Sequence, residues 1–398
     1  MRVLFVLSRV PMPATSGDTL RNLALLRAAR SVASRLDVVA LPQTSDPGAA
    51  QGRGALAGLV DELVVTGEPM ERYLRSPVQR ARSVLGRPYH QAVGRSRPLR
   101  RAVAGQLAAG GYDVVVAAQL HVIGAVPAAW RARTVFDTHN VETARTAAFL
   151  AHRRGVYRVA AAPVVAGVRR LERAMVRDCA VTLACSDHDA DQLRALAPGA
   201  EVRVLPNGAD VPPRLKEQRP AGRTVLWLAS LSSSANVDSL AHLVDDVLPH
   251  LPDDVVVQVA GSGAGPDAAA VLARAGDRVS FLGEVPDART AMLGADLLLV
   301  PLRVGSGTRL KVLEAFAVGL PVVATPKAVE GLLVEPGTHA ALAQDPRAFA
   351  AEVDRLLASV ELRRQLAGAA RDLVERTASW DAIAPSFRAA LADVTSDG

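Results

Sequence analysis

The stretch PLRVGSGTRLKVLEAFAVGLPVVAT, residues 301–325, decides the fold. It takes over from an apolar run at 297–301 and ends in a second one at 321–324, with a helical window at 309–317 between them. Two short apolar runs joined by an amphipathic helix form a strand–helix–strand unit, and strands joined in this way lie parallel. The loop ahead of the helix is compact, because Gly305 and Gly307 bracket Ser306. The helix starts near Thr308 and opens with Arg309 and Lys311. Exposed amides at a helix start, together with two cationic side chains, suit a multiply charged phosphate. Glu314 follows one turn later. A carboxylate beside a phosphate site has no use as a further phosphate contact, but it can accept from the two hydroxyls of a ribose. An internal ion pair among Arg309, Lys311 and Glu314 is the plainer alternative, although these spacings do not all share one helix face. Ala315, Ala317 and Gly319 leave room for close approach of strand and ligand.

The same alternation runs through the rest of the chain. Strands are expected at 224–229, 255–260 and 279–282 in this half, with helical windows at 237–247 and 287–293. Upstream, strands are expected at 2–8, 36–41, 59–66, 112–118, 134–137, 180–186 and 201–205, with a helix over 19–35. Pro206, Pro212 and Pro213, followed by the polar run 216–222, mark the connector, since clustered prolines hold a chain extended. The expected organisation is α/β: two doubly wound, Rossmann-like domains over 1–212 and 213–378 facing a central cleft, with 379–395 packing back on the first. Such sheets bind ligands outside the carboxyl ends of their strands.

Composition narrows the class. The chain has 398 residues, 49% of them hydrophobic and 22% charged, which fills two cores and excludes a disordered chain. Cys179 and Cys185 have no companions, so neither a disulfide framework nor a four-cysteine zinc site is available, and a reducing, cytoplasmic setting is expected. No apolar run reaches the length of a membrane span. Residues 1–212 carry 28 basic against 17 acidic side chains, net +11, and the remainder 18 against 23, net −5. Nine arginines from Arg72 to Arg101 occur with no acidic residue between them. An anionic membrane surface met peripherally, or a phosphate-bearing acceptor, would suit this segment, and so would plain solvation. Only three lysines occur against 43 arginines, so part of the excess is compositional. With 4% aromatics and no zinc module or basic zipper, nucleic acid is not expected as a partner.

Three further loops follow strands in the first half. The first, RVPMPATSGDTLRN, carries Gly17 ahead of a helix; it can bring backbone close to an anion or be a turn capped by Ser16 or Asp18. Arg21 would touch the same anion or face solvent. TVFDTHNVE places Asp137, His139, Asn140 and Glu142 just past a strand, where polar groups are expected to line an opening. His139 is read as a hydrogen-bonding partner of a substrate hydroxyl or as a structural hub. A metal site is not expected, since no third ligand of clear spacing is near. In the third loop Asn207 and Gly208 form a turn at the domain connection, placed to touch ligand.

In SRVPMPATSGD (8–18), FDTHNVE (136–142), VLPNGAD (204–210), LWLASLSSSANVD (226–238) and above all 301–332 followed by VEPG (334–337), the chain resembles the retaining nucleotide-sugar glycosyltransferases of GT-B architecture. That large group includes bacterial polysaccharide and glycolipid transferases. The resemblance implies an N-terminal domain for the acceptor, a C-terminal domain for a nucleoside-diphosphate sugar as co-substrate, a last helix around Trp380 crossing back, and no metal or other cofactor. It implies that Gly17 lies near the diphosphate, that His139 contacts the transferred sugar, and that Lys311 and Arg309 serve the diphosphate. Glu314 matches the second member of a glutamate pair eight residues apart, the member that binds the ribose. Asn207, Ser230, Asn236, Gly261, Arg303 and the 305–308 loop complete the donor side. Two departures stand out. Ser306 occupies the place of the first glutamate, and Ser230 and Asn236 replace an Arg and a Lys, with Arg303, Arg309 and Lys311 left to restore the positive charge. The oligomeric state is not set by the sequence. A nucleotide-sugar epimerase on the same scaffold, or a catalytically silent nucleotide-sugar-binding partner, are the alternatives to a transferase acting on a glycan, lipid-linked or small-molecule acceptor.

Overall fold

Valine-rich and leucine-rich runs with no interior polar break need cover on both faces, which a parallel sheet between helices provides. In a computed structural model of the chain they become two such sheets. The structure describes residues 1–14, 16–42, 54, 56–151, 156–285, 287–304 and 310–396. The chain divides into two units, one of residues 1–206 and 384–398 and the other of residues 207–383.

In the first unit seven strands, β1 (Arg2–Leu7), β2 (Arg35–Ala40), β3 (Glu62–Val65), β4 (Val114–Ala118), β5 (Thr134–Asp137), β6 (Val181–Ala184) and β7 (Val202–Val204), pair in the order β3-β2-β1-β4-β5-β6-β7. Every pairing is parallel. Strand β4 is buried along its whole length, as its Val-Val-Val-Ala-Ala sequence requires. The crossovers are α1 (Gly17–Arg30), the helical run α2 (Met70–Arg75), α3 (Pro77–Val84), α4 (Tyr89–Gly94) and α5 (Arg97–Gly110), then α6 (Glu142–Ala151), α7 (Val156–Asp178) and α8 (Asp187–Leu196). Helix α1 opens at Ser16, whose amide donates to Thr19 Oγ1 at 3.0 Å, and it buries Leu23, Leu25, Leu26 and Ala29. It ends five residues before the expected 35, where the chain turns directly into β2.

In the second unit β8 (Thr224–Leu228), β9 (Val256–Ala260), β10 (Val279–Gly283), β11 (Leu297–Val300), β12 (Val322–Ala324) and β13 (Ala341–Leu342) pair in parallel in the order β10-β9-β8-β11-β12-β13. Helices α9 (Ser234–Ala241), α10 (Pro266–Ala275), α11 (Ala288–Gly294), α12 (Leu310–Val318), α13 (Pro346–Ala358) and α14 (Val360–Thr377) flank the sheet. The strand–helix–strand unit read from 297–325 is β11-α12-β12, and β11 lies directly beside β12. Gly319 ends α12 with φ +79°, and a Cβ there would lie 2.3 Å from Leu215 Cδ1. The close approach that this glycine serves is thus to the incoming connector, not to a ligand. The connector belongs with this unit: the Lys216 amide donates to Val318 O at 2.9 Å, and Ala209 bridges to Ser379. The last helix, α15 (Trp380–Ser396), begins in the second unit, and from Ala384 its residues belong to the first, where Phe387 meets Phe5 at 6.4 Å between ring centroids. Among the described residues no helix is long and apolar enough to cross a membrane.

Candidate functional site

In both units the candidate residues gather past the carboxyl ends of the strands, next to the points where strand order reverses, β1/β4 and β8/β11.

In the first unit the parallel register sets Ala118 of β4 opposite Asp137 of β5, so the residues just beyond, Gln119 and His139, become neighbours. Gln119 Nε2 donates to His139 Nδ1 at 3.0 Å, which leaves the ring proton on Nε2, 3.2 Å from Asp137 Oδ2. Gln119 adopts φ +74°, a left-handed backbone that a non-glycine residue rarely holds, and its amide donates to Asp137 O at 2.8 Å. Asp137 is fully buried and receives Arg21 Nη2 at 2.6 Å and Arg21 Nε at 2.9 Å. Arg21 also donates to Leu205 O and Pro206 O at 3.0 and 3.1 Å. Burial opposes ionisation of both partners, but each one's charge outweighs it: Asp137 is held far below the usual carboxylate range and Arg21 above its own.

Arg21 neither faces solvent nor points to an anion at the start of α1; it is 1% exposed and ties the end of β5 to the chain leaving β7. The four polar groups of 137–142 do not line one opening. Asp137 and Glu142 are buried, and only His139 and Asn140 keep partial exposure. The cost of burying Glu142 is offset by His90 Nε2 at 3.2 Å and Arg145 Nη2 at 2.7 Å, which draw its carboxyl well below the usual range despite burial. Beside it His121 is pushed below its ordinary value by burial and by neighbouring His90, while its Nε2 meets Tyr89 Oη at 2.9 Å. Sequence reading missed Gln119 and this His90–His121–Tyr89 cluster. Their one available signal was position, since Gln119 directly follows an expected strand.

Gly17 is the first residue of α1, and the first turn holds Asp18, paired with Arg9 at 3.0 Å. Ser186 caps α8 by accepting from the Asp189 amide at 3.1 Å.

In the second unit Lys311 and Glu314 lie one turn apart on α12. Lys311 Nζ sits 5.6 Å above the ring of Trp227, a buried residue of β8. Glu314 is surrounded by Arg289, Asp210, Asp287 and Lys311, and burial pushes its carboxyl up to about 7, with the two aspartates adding to the rise and Arg289 and Lys311 opposing it. Past β8, Asn236 Nδ2 donates to Ser230 O at 2.8 Å and Ser230 Oγ meets Ser232 Oγ at 2.8 Å. Gly261 follows β9, and a Cβ there would meet Ala229 O at 1.9 Å, so only glycine lets these two strand ends converge. Arg303, past β11, donates to Asp238 at 2.7 and 3.2 Å and lies 3.5 Å from Asp246. Its charge is therefore matched by carboxylates of its own unit. Asn207 and Gly208 begin the second unit, where Gly208 packs against Trp380 and Ile383. Gly305, Ser306, Gly307, Thr308 and Arg309 lie outside the described residues. Among the described residues no cluster of three or more His, Cys, Asp or Glu could hold a metal ion.

Residues 55–211 match the model of glycosyltransferase family 4, and residues 222–359 match that of glycosyl transferases group 1. With two parallel sheets each flanked by helices, the chain belongs to the GT-B nucleotide-sugar glycosyltransferases. It is 29% identical over 222 residues to a phosphatidyl-myo-inositol mannosyltransferase of Mycobacterium leprae (strain TN), covering 52% of this chain and 57% of that one. The match thus spans little more than half the length of that relative. Among solved structures, HepE of Anabaena in complex with UDP superposes with TM-score 0.65 at 17% identity over 99% of this chain and 100% of that one. WaaG, a glycosyltransferase involved in lipopolysaccharide biosynthesis, gives 0.64 at 17% identity over 97% and 99%.

Proposed function

We propose that this chain is a retaining glycosyltransferase that moves a sugar from a nucleoside-diphosphate sugar to an acceptor hydroxyl. The observation that carries the reading is the Lys311/Glu314 pair on α12: a cation held over Trp227 and a half-buried carboxyl raised to about 7 one turn further on. A carboxyl desolvated to that extent gains from hydroxyl donors, and a ribose supplies two. HepE of Anabaena, which shares the fold, is seen in complex with UDP, and this supports a nucleotide as a ligand of this chain. The first unit is read as the acceptor domain, with Gly17 and His139 on its sugar-facing side.

As the bond between the anomeric carbon and the phosphate oxygen breaks, its electron pair passes to the departing diphosphate. Lys311 and Arg309 stabilise that charge more in the transition state than in the ground state. The acceptor oxygen attacks from the same face, and its proton passes to the leaving phosphate oxygen, so no protein nucleophile is needed. Asp137, itself fixed by Arg21, orients the His139 ring. A sugar hydroxyl replacing Gln119 would be accepted at Nδ1.

Incubation with a panel of nucleotide sugars and hydroxyl acceptors, followed by NMR of the product, tests this reading. The expected product has the donor's anomeric configuration. Inversion would refute the retaining route, and conversion of donor without any acceptor would instead identify an epimerase.

A further inference from the structure

The first unit contains a groove of about 1150 Å³ between α2, α3 and α4, away from the strand-end residues described above. Its charge is lopsided. Among the described residues Arg72, Arg82, Arg87 and Arg95 line it against one acid, Glu68, and Glu68 is already engaged by Arg72 at 2.7 Å. Arg82, Arg87 and Arg95 make no ion pair among the described residues. Elsewhere some arginines are matched locally, as in Arg219–Asp296, Arg274–Asp245 and Arg371–Glu375, while others, such as Arg100, Arg101 and Arg173, stand singly on the surface. What sets Arg82, Arg87 and Arg95 apart is that they converge on one groove.

The walls are fixed. Gln79, 5% exposed, donates from Nε2 to Arg87 O at 3.0 Å and so holds the turn that carries Arg87. That turn passes through Gly86 at φ +71° and is pressed on α7, where a Cβ on Gly167 would lie 2.3 Å from Gly86 O. Helix α4 faces two ways. Tyr89 and His90 anchor it inward to His121 and Glu142, while Gln91 borders the groove and Arg95 follows at its end. Its last residue, Gly94, meets Gly124 so closely that a Cβ would lie 2.9 Å from Gly124 Cα. Guanidinium groups on a fixed frame lose little on ordering around an anion, and their planar forks suit phosphate oxygens. The groove is not purely polar, since Val78, 61% exposed, borders it together with Tyr73.

We propose that this groove binds the phosphate ester of the acceptor, with Arg82, Arg87 and Arg95 supplying the charge and Val78 the contact to the apolar part of the same molecule. The assignment of the bound molecule as acceptor rests on the transferase reading; the anion site itself does not. A phospholipid headgroup and a soluble phosphate ester offer the same chemistry, and the test separates them.

Full-length protein carrying R82A, R87A and R95A together is compared with wild type and with a control of equal charge loss, R100A/R101A/R173A. Binding is measured to vesicles of phosphatidylcholine with 30% phosphatidylglycerol, to vesicles of phosphatidylcholine alone, and to glycerol phosphate in solution. The groove variant is expected to bind the anionic probe at least about tenfold more weakly, and the control variant to stay within about threefold of wild type. Loss on anionic vesicles alone assigns a lipid headgroup, and loss of glycerol phosphate binding as well assigns the phosphate ester by itself. Equal loss in both variants, or none in either, overturns the proposal. The single exposed change R95Q, expected to give a smaller loss in the same direction, covers any failure of the triple variant to fold. Stabilisation by nucleotide sugars is recorded in parallel. If wild type binds the anion at the groove but no nucleotide sugar, the transferase reading falls while the site stands.

Discussion

Asp137 shows how much a single residue of this site depends on one distant partner. Its carboxylate is buried and fully used by Arg21 and His139, so replacing it with Asn leaves the Arg21 charge buried without a counterion. Breaking a buried pair from one side costs roughly 3–5 kcal/mol, and urea unfolding of D137N at neutral pH is expected to show a loss of that order. Because the folded-state carboxyl is held below the ordinary 3.8, the pair's contribution is complete above that pH and disappears as the pH falls. Wild type should therefore lose stability below about pH 4 more steeply than D137N. Glu314 behaves in the opposite way. Its carboxyl is raised from 4.5 to about 7, so in the ligand-free protein its ionisation removes stability as the pH rises through that window. A ribose favours the ionised form, so affinity for a nucleotide sugar should rise from pH 6 to pH 8. The same titration with E314Q should be flat, and a nucleotide sugar is the right ligand because its diphosphate does not titrate in this range.

At the scale of elements, the alternation of strands and helices was legible because each apolar run is short and each helical window has its own period. The β11-α12-β12 unit follows directly from residues 297–325. What stayed hidden are contacts made by register. Gln119 reaches His139 only because β4 and β5 pair with Ala118 opposite Asp137, and Arg21 reaches Asp137 across 116 residues. No local pattern in the chain encodes either meeting. The polar string 137–142 looked like one site because its members are adjacent in sequence. The turn into α6 sends Glu142 instead to His90 and Arg145. Gly261 belongs to this scale too, since it lets the ends of β8 and β9 converge. G261A would push a methyl group into Ala229 O and should cost about 1–3 kcal/mol of stability. Nucleotide-sugar binding should weaken with it, as calorimetry can check, because the Ser230–Asn236 loop leaves from the same place.

For the whole molecule, the two units carry unlike charges. The basic first unit holds the arginine groove and the His139 strand end, and the net-acidic remainder holds Lys311 and Glu314. In the proposed function the second unit grips a sugar nucleotide through α12. Thermal unfolding of the wild type, K311A and E314A proteins across a panel of nucleotide sugars tests it most directly. A ligand at 100 times its dissociation constant stabilises by about 2.7 kcal/mol, which raises the midpoint of a chain this size by several degrees. At least one nucleotide sugar is expected to give such a shift with wild type, and each substitution to remove most of it. An equal shift in all three proteins would rule out Lys311 and Glu314 as the nucleotide-sugar grip.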